Sequence, residues 1–296
     1  MRYFNQSIIA LGLFTSSTAY AVEFHADFLY WQASESVDWA LTNNLSLPHQ
    51  IVSYKTIAFN YAPGFRIGAD FKKEDWHSRL LYTQYNVKAN ASTHGNVISV
   101  SMPGKFAESF YQSGQVKFTI DFNMFDIDLY KNIHVSESFI INPVIGLRGG
   151  FINQRVNTSF QGNISVFDTT TNNFSGVGPK VGIENQWMFY TKNDYHYSLV
   201  ADFYSSYMWG DWSINDSLTR SNSSQRSHVY VGKRNFGALA LQGLMGINLD
   251  YKQCSLKIAY EVADWFNQYQ VFDNGSGTHT NDLVLQGATV ALKYRW

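Results

Sequence analysis

Charged residues recur in this chain, several of them two or four positions apart. Glu23 and Asp27 flank His25, with Arg66, Arg79, Lys117 and Asp121 following, then Arg148, then Lys180 with Glu184, Asp202, Lys257 with Glu261, and Lys293 with Arg295. Apolar residues fill the alternate places, as in Val22, Phe24, Ala26, Phe28 and Tyr30. A spacing of two puts side chains on one face of an extended strand. Charges of both signs facing one interior allow two kinds of chemistry. In a dry interior they must pair, because an unpaired buried ion costs several kcal/mol. In a wet one they tune the passage of ions. The fourteen charged residues named above are the candidate lumen lining.

No catalytic pattern accompanies this set. None of the eight histidines stands in H-E-x-x-H, and the single cysteine, Cys254, excludes C-x-x-C. There is no G-x-S-x-G elbow and no D-x-D-x-D-G calcium loop. Asp211, Asp216, His228, Asp273, His279 and Asp282 fall in loop-like sequence, where they would converge as a hydrolase rim or stand as solvated loop residues. No catalytic residue, metal or cofactor is assigned, and the chain is expected not to be an enzyme.

The elements that would position the charges follow from composition. Hydrophobic residues make up 45%, aromatics 17% and charged residues only 15%, against about 25% charged in an ordinary soluble domain. Mean hydropathy is nevertheless −0.22. The net charge of −1 gives no basic footprint for nucleic acid. Met1 to Ala21 carries Arg2, an apolar run from Ile8 to Phe14 and an Ala19-Tyr20-Ala21 ending, the pattern of an export signal. Residues 22–296 would then form one domain. An exported chain with one cysteine has no internal disulfide.

Period-two alternation marks ten candidate strands. Between them, short polar connections (Asp70–Asp75, Lys131–Ser138, Thr191–Asp194, Asp250–Gln253) alternate with long ones rich in Ser, Asn, Thr and Gly: Ser34–Lys55, Lys88–Gly114, Asn153–Gly176, Gly210–Asn235 and Asn267–Asp282. Short turns at one end and long loops at the other are the plan of an outer-membrane barrel, with the turns in the periplasm. The bilayer cannot hydrogen-bond a free strand edge, so the sheet must close. The expectation is an all-β, up-and-down, antiparallel transmembrane barrel of ten strands. Twelve result if Asn96–Ser101 or Ile164–Phe167 form a further hairpin. In the stretch Val116–Leu129 the apolar phase shifts after Met124, which suggests a β-bulge. Gly64, Gly68, Gly146, Gly150, Gly182, Gly246 and Gly287 would face inward, leaving lumen space or relieving curvature. Of the tryptophans, Trp39 and Trp212 stand apart from the expected aromatic belts and are candidate sugar platforms. At the C-terminal end, Val290, Leu292 and Tyr294 would face lipid and Trp296 the interface.

Five stretches carry a resemblance: "FHADFLYWQASESVDWAL", "YAPGFRIGADFKKEDWHSRLLYTQY", "NPVIGLRGGFINQ", "NNFSGVGPKVGIENQW" and "YEVADWFNQ". In this order they resemble the Legionella-type major outer membrane protein family. The resemblance implies a bacterial outer-membrane barrel with porin-like or surface roles, and it carries over no catalytic residues. The lone Cys254 departs from members that cross-link through several cysteines. The expected function is passive passage of small hydrophilic solutes; the alternative is surface adhesion or structure through the long loops. Expected partners are outer-membrane lipids including lipopolysaccharide, the barrel-assembly machinery through Trp296, and a host or cell-surface ligand at the loops.

Overall fold

The structure is a computed structural model that describes residues 21–35, 37–44, 51–73, 75–100, 110–222, 226–235, 237–273 and 277–296. The expected export signal lies outside these residues except for Ala21. The strands are β1 (Ala21–Ser34), β2 (Asp38–Asn44), β3 (Ile51–Thr56), β4 (Ala62–Lys73), β5 (Trp76–Ser99), β6 (Tyr111–Lys131) and β7 (Ile133–His134). They continue as β8 (Phe139–Gln161), β9 (Val166–Lys192), β10 (Tyr195–Arg220), β11 (Arg226–Asn235), β12 (Ala238–Tyr251), β13 (Cys254–Asp273) and β14 (Gly277–Arg295).

Ten of them close into a cylinder in the order β1-β4-β5-β6-β8-β9-β10-β12-β13-β14, and β14 returns to β1. Every pairing is antiparallel, and the closing seam runs from Glu23↔Arg295 to Ser34↔Val284. The remaining strands are additions at the loop end or the turn end, so the cylinder has ten strands and not twelve. β2 and β3 form a hairpin that touches β5 through Ala40–Thr42, β11 lies on the upper part of β10, and β7 pairs with β8. Ile164 precedes β9, and Asn96–Ser99 continue β5.

Much of the sequence expected as long loops is strand. β5 runs on to Ser99, β8 and β9 are joined after Gln161, and β10 reaches Arg220. These strands are twice the roughly 10 residues needed to cross a bilayer, so they rise well beyond it. At the other end the connections are short. Asn193 and Lys252 each open a two-residue turn with positive φ, 53° and 52°, a conformation that Asn tolerates better than Lys.

The extension inverts the barrel's chemistry. On β6, Phe125, Ile127 and Leu129 point outward and are exposed, while Asp126 and Asp128 point inward and are buried. Further up the same strand, Val116, Phe118, Ile120 and Phe122 are the buried inward residues, and Lys117 is exposed. The expected β-bulge is absent: the β5–β6 register is unbroken from Trp76↔Lys131 to His94↔Ser113. The phase of the strand never changes. What changes is the solvent outside, from hydrocarbon to water, so the apolar residues move from the outer to the inner face. Lys117 and Asp121 therefore do not line the lumen; they stand on the outer wall, where Asp121 accepts a hydrogen bond from Asn86.

The same inversion runs across neighbouring strands. The outward positions of the extension are in register as Lys88↔Thr119↔Arg155↔Thr171↔Asn215 and Asn90↔Lys117↔Asn157↔Thr169↔Ser217. Inside the extension Trp212, Phe160, Phe118, Phe174 and Leu283 are fully buried. The β1–β4 connection adds to this plug from within: Phe59 packs tilted against Phe118 at 5.1 Å and Trp39 against Phe160 at 6.0 Å between ring centres. Ile57 and Phe59 thus belong to the plug, and β4 starts only at Ala62.

The inward glycines leave little space. A Cβ at Gly182 would overlap the Tyr204 ring, and one at Gly68 would overlap the Leu80 carbonyl. They permit close strand and ring approach in a strongly curved sheet.

Two substitutions on the outer face of β8 test the inversion. Leu147→Arg, at the hydrocarbon, should cost about 2–4 kcal/mol. Ser159→Arg, on the extension, should stay within about 0.5 kcal/mol. Urea unfolding from lipid vesicles measures both.

Candidate functional site in the barrel lumen

The inward residues of the transmembrane half meet across the bore as a belt of ion pairs. Arg66 of β4 donates to Glu261 of β13 at 2.7 Å and to Asp27 of β1 at 3.3 Å. Arg79 of β5 reaches Asp128 at 3.0 Å and, across the bore, Glu184 of β9 at 2.5 Å. Arg148 of β8 clasps Asp126 with two bonds, at 2.7 and 3.0 Å, and donates to Gln242 of β12 at 2.9 Å. Lys180 sits between Asp126 at 3.3 Å and Asp128 at 2.9 Å. Gln242 and Thr289 donate to Glu261 as well.

Rings support the cations. The Arg66 guanidinium lies over Trp31, that of Arg79 over Tyr130, that of Arg148 over Trp265, and Lys180 lies over Tyr204. Glu261 has no exposed surface and Lys180 2%, so water does not separate the pairs. Four cations and five carboxylates fill this level of the bore, leaving a residual cavity of about 50 Å³. Removing such charges from water is expensive, and close, hydrogen-bonded pairing offsets it, although Asp27 Oδ1 and Asp128 Oδ1 are buried without a hydrogen-bond partner.

Towards the short turns the belt opens into a vestibule of about 410 Å³. Asp70 Oδ2 in the vestibule is 2.7 Å from Nε2 of His25, which lines the belt cavity, and Tyr130 donates to the same Asp70 oxygen at 3.0 Å. His77 stacks on Tyr130 at 4.7 Å. Asp202 and Lys257 pair at 3.5 Å, and Arg295 at the mouth reaches Glu23 at 3.4 Å and Asp250 at 3.6 Å. Lys293 lines both the vestibule and the belt cavity.

Above the belt a second polar cluster lies inside the aromatic plug, outside the membrane-spanning segment. Gln154 Nε2 donates to both Glu35 oxygens, at 2.9 and 3.2 Å. Asn172 donates to Gln154 at 3.1 Å and to the Gln268 carbonyl at 2.8 Å. Burial pushes the Glu35 carboxyl well above the usual carboxylate range, and the Gln154 bonds offset this only in part.

Of the residues singled out in the sequence, Asp27, Arg66, Arg79, Arg148, Lys180, Glu184 and Glu261 are brought together in the belt. Glu23, Asp202, Lys257, Lys293 and Arg295 lie in the vestibule. Lys117 and Asp121 are outside, as described. Asp126 and Asp128 were not singled out, although their alternation with Phe125, Ile127 and Leu129 marks them as inward. The rim acids and histidines fall on two strand pairs: Asp211, Asp216 and His228 on β10 and β11, Asp273, His279 and Asp282 on β13 and β14. Trp39 and Trp212 are buried in the plug and offer no platform. Cys254 is exposed at the start of β13 with a free thiol.

A family model described as Legionella pneumophila major outer membrane protein precursor matches residues 15–296. No curated protein matches. Among solved structures, the outer membrane protease OmpT from Escherichia coli is similar with a TM-score of 0.51 and 9% identity, over 95% of this chain and 99% of that one. At that identity the likeness is one of fold. The toluene transporters TbuX of Ralstonia pickettii and TodX of Pseudomonas putida align with TM-scores of 0.33 and 0.31, at 8% and 5% identity. TbuX aligns over 94% of this chain and 90% of its own, TodX over 93% and 89%.

Arg66→Ala strands Glu261 without its cation and should cost about 3–5 kcal/mol, whereas Arg66→Met with Glu261→Leu should recover most of the loss. Equilibrium unfolding of the two variants measures this. For Glu35 the folded pKa is raised. Its contribution is therefore full below the unfolded value of about 4.3 and is lost as pH rises through the folded one. Glu35→Gln should flatten stability between pH 4 and 8 and leave the variant the more stable form at pH 8, read by unfolding at each pH.

Proposed function

The chain belongs to the Legionella pneumophila major outer membrane protein family, and from that premise we propose that it passes small hydrophilic solutes and ions across the outer membrane through its polar lumen. The observation that carries the reading is the belt: charges of both signs span the bore between a polar vestibule and the plug. Soluble counterions can replace the partners of Arg79, Glu184, Arg66 and Glu261 one at a time as a solute moves past. The belt and the aromatic plug above it both narrow the path, so resting conductance is small. The lumen is proposed to carry no catalytic step.

A second reading is favoured by the upper cylinder. An extension packed with Trp39, Phe118, Phe160 and Trp212 is a rigid projection, suited to a structural or adhesive role at the cell surface.

Planar-bilayer recording separates the two. On the channel reading the folded wild type gives small current steps, and Arg79→Gln with Glu184→Gln raises their size by at least about twofold by unlinking the bore. Silence from the folded wild type and from the double variant alike would overturn the channel reading.

A further inference from the structure

The outer wall of the extension carries chemistry that the lumen does not use. Across β5, β6, β8, β9 and β10 its outward residues are mainly amides, hydroxyls and the cations Lys88, Lys117 and Arg155, against two acids, Asp121, already engaged by Asn86, and Asp211 at the foot of the extension on β10. A groove of about 710 Å³ runs over this wall, with Asn90, Gln115, Lys117 and Asn157 beside the half-exposed ring of Phe167. Side-chain amides both donate and accept, which matches the mixed donors and acceptors of sugar hydroxyls. The ring offers a flat apolar face, and the cations fit phosphate or carboxylate.

Height selects the occupant. Lys117 lies eight residues beyond Phe125, the last lipid-facing residue of β6. At about 3.3 Å per residue that is about 26 Å along the strand, or about 20 Å in height at a tilt of about 40°. An ordinary headgroup layer is only about 5–7 Å deep. A phospholipid therefore cannot reach the groove, but a lipid whose headgroup is a chain of sugars can. The wall is vertical and continuous with the lipid-facing band, so a molecule standing beside the barrel in the same leaflet meets it side-on.

We propose that this wall binds the anionic oligosaccharide headgroup of an outer-leaflet glycolipid, with Lys88, Lys117 and Arg155 holding its acidic groups and the groove holding its sugars. This does not depend on whether the lumen conducts.

The test uses the full barrel refolded in phosphatidylcholine nanodiscs with rough-type lipopolysaccharide, or with lipid A, which lacks the core sugars. Bound glycolipid is quantified by native mass spectrometry. Lipopolysaccharide should bind at least about tenfold more tightly than lipid A. The combined variant Lys88→Gln, Lys117→Gln, Arg155→Gln should lose about tenfold of that affinity. The substituted side chains are exposed, so the variant should keep its compact migration in unheated detergent gels. A single substitution, Asn157→Trp, should block the groove and weaken the sugar contribution without altering charge. Equal binding of lipid A and lipopolysaccharide, or affinity unchanged in the triple variant, would overturn the proposal. So would a wall that captures a protein partner while ignoring lipopolysaccharide.

Discussion

A polypeptide in hydrocarbon has no water to satisfy its backbone amides, and that constraint shapes everything else in this molecule. A sheet can meet it only by having no edge. The seam between β1 and β14 removes the edge, and once the cylinder is closed each strand has one face to the bilayer and one to the bore. The inward charges are then forced together in a narrow space, and their pairing follows from closure as much as from the choice of residues. Arg79 finds Asp128 on the adjacent strand, but it reaches Glu184 only because the sheet curves back on itself.

Alternation was enough to read the class of fold, the number of strands and the inward charges of the lower half. Arg66, Arg148, Lys180 and Glu261 sit where a period of two beside outward Phe65, Leu147, Val181 and Tyr260 puts them. Alternation does not say which face is inward, however, and here the sequence misled. Phe118 and Phe122 look as lipid-facing as Phe125. Only the unbroken register of β6 distinguishes a strand that crosses from membrane to water from a strand with a bulge. Lys117 and Asp121 stand outside the lumen for that one reason. The loops were misjudged for a related one: runs of Asn, Ser and Thr resemble irregular chain, but on an outward face in water they are simply the polar half of a strand.

The belt and the plug divide the interior between two forces. Below, in the membrane, specificity comes from ion pairs whose desolvation nearly cancels their attraction. Above, stability comes from buried rings, which need no partner of a particular charge. The β1–β4 connection is the element that sequence reasoning could least foresee, because Trp39, Ile57 and Phe59 pack against residues far away in the chain, such as Phe160 and Phe118. Long-range contacts of this kind leave no local periodic trace.

The tall polar wall also bears on how the barrel reaches its place. Strands that enter the bilayer from the turn side must carry Lys117, Arg155 and their neighbours through the apolar layer before these residues emerge into water on the far side. A cation at mid-bilayer costs about 2.5–3.5 kcal/mol on insertion scales. The rate of insertion is therefore governed by the part of the molecule that ends up outside the membrane. Thin or locally disordered bilayers should admit the chain quickly and thick ones slowly, even where the finished barrel is equally stable in both.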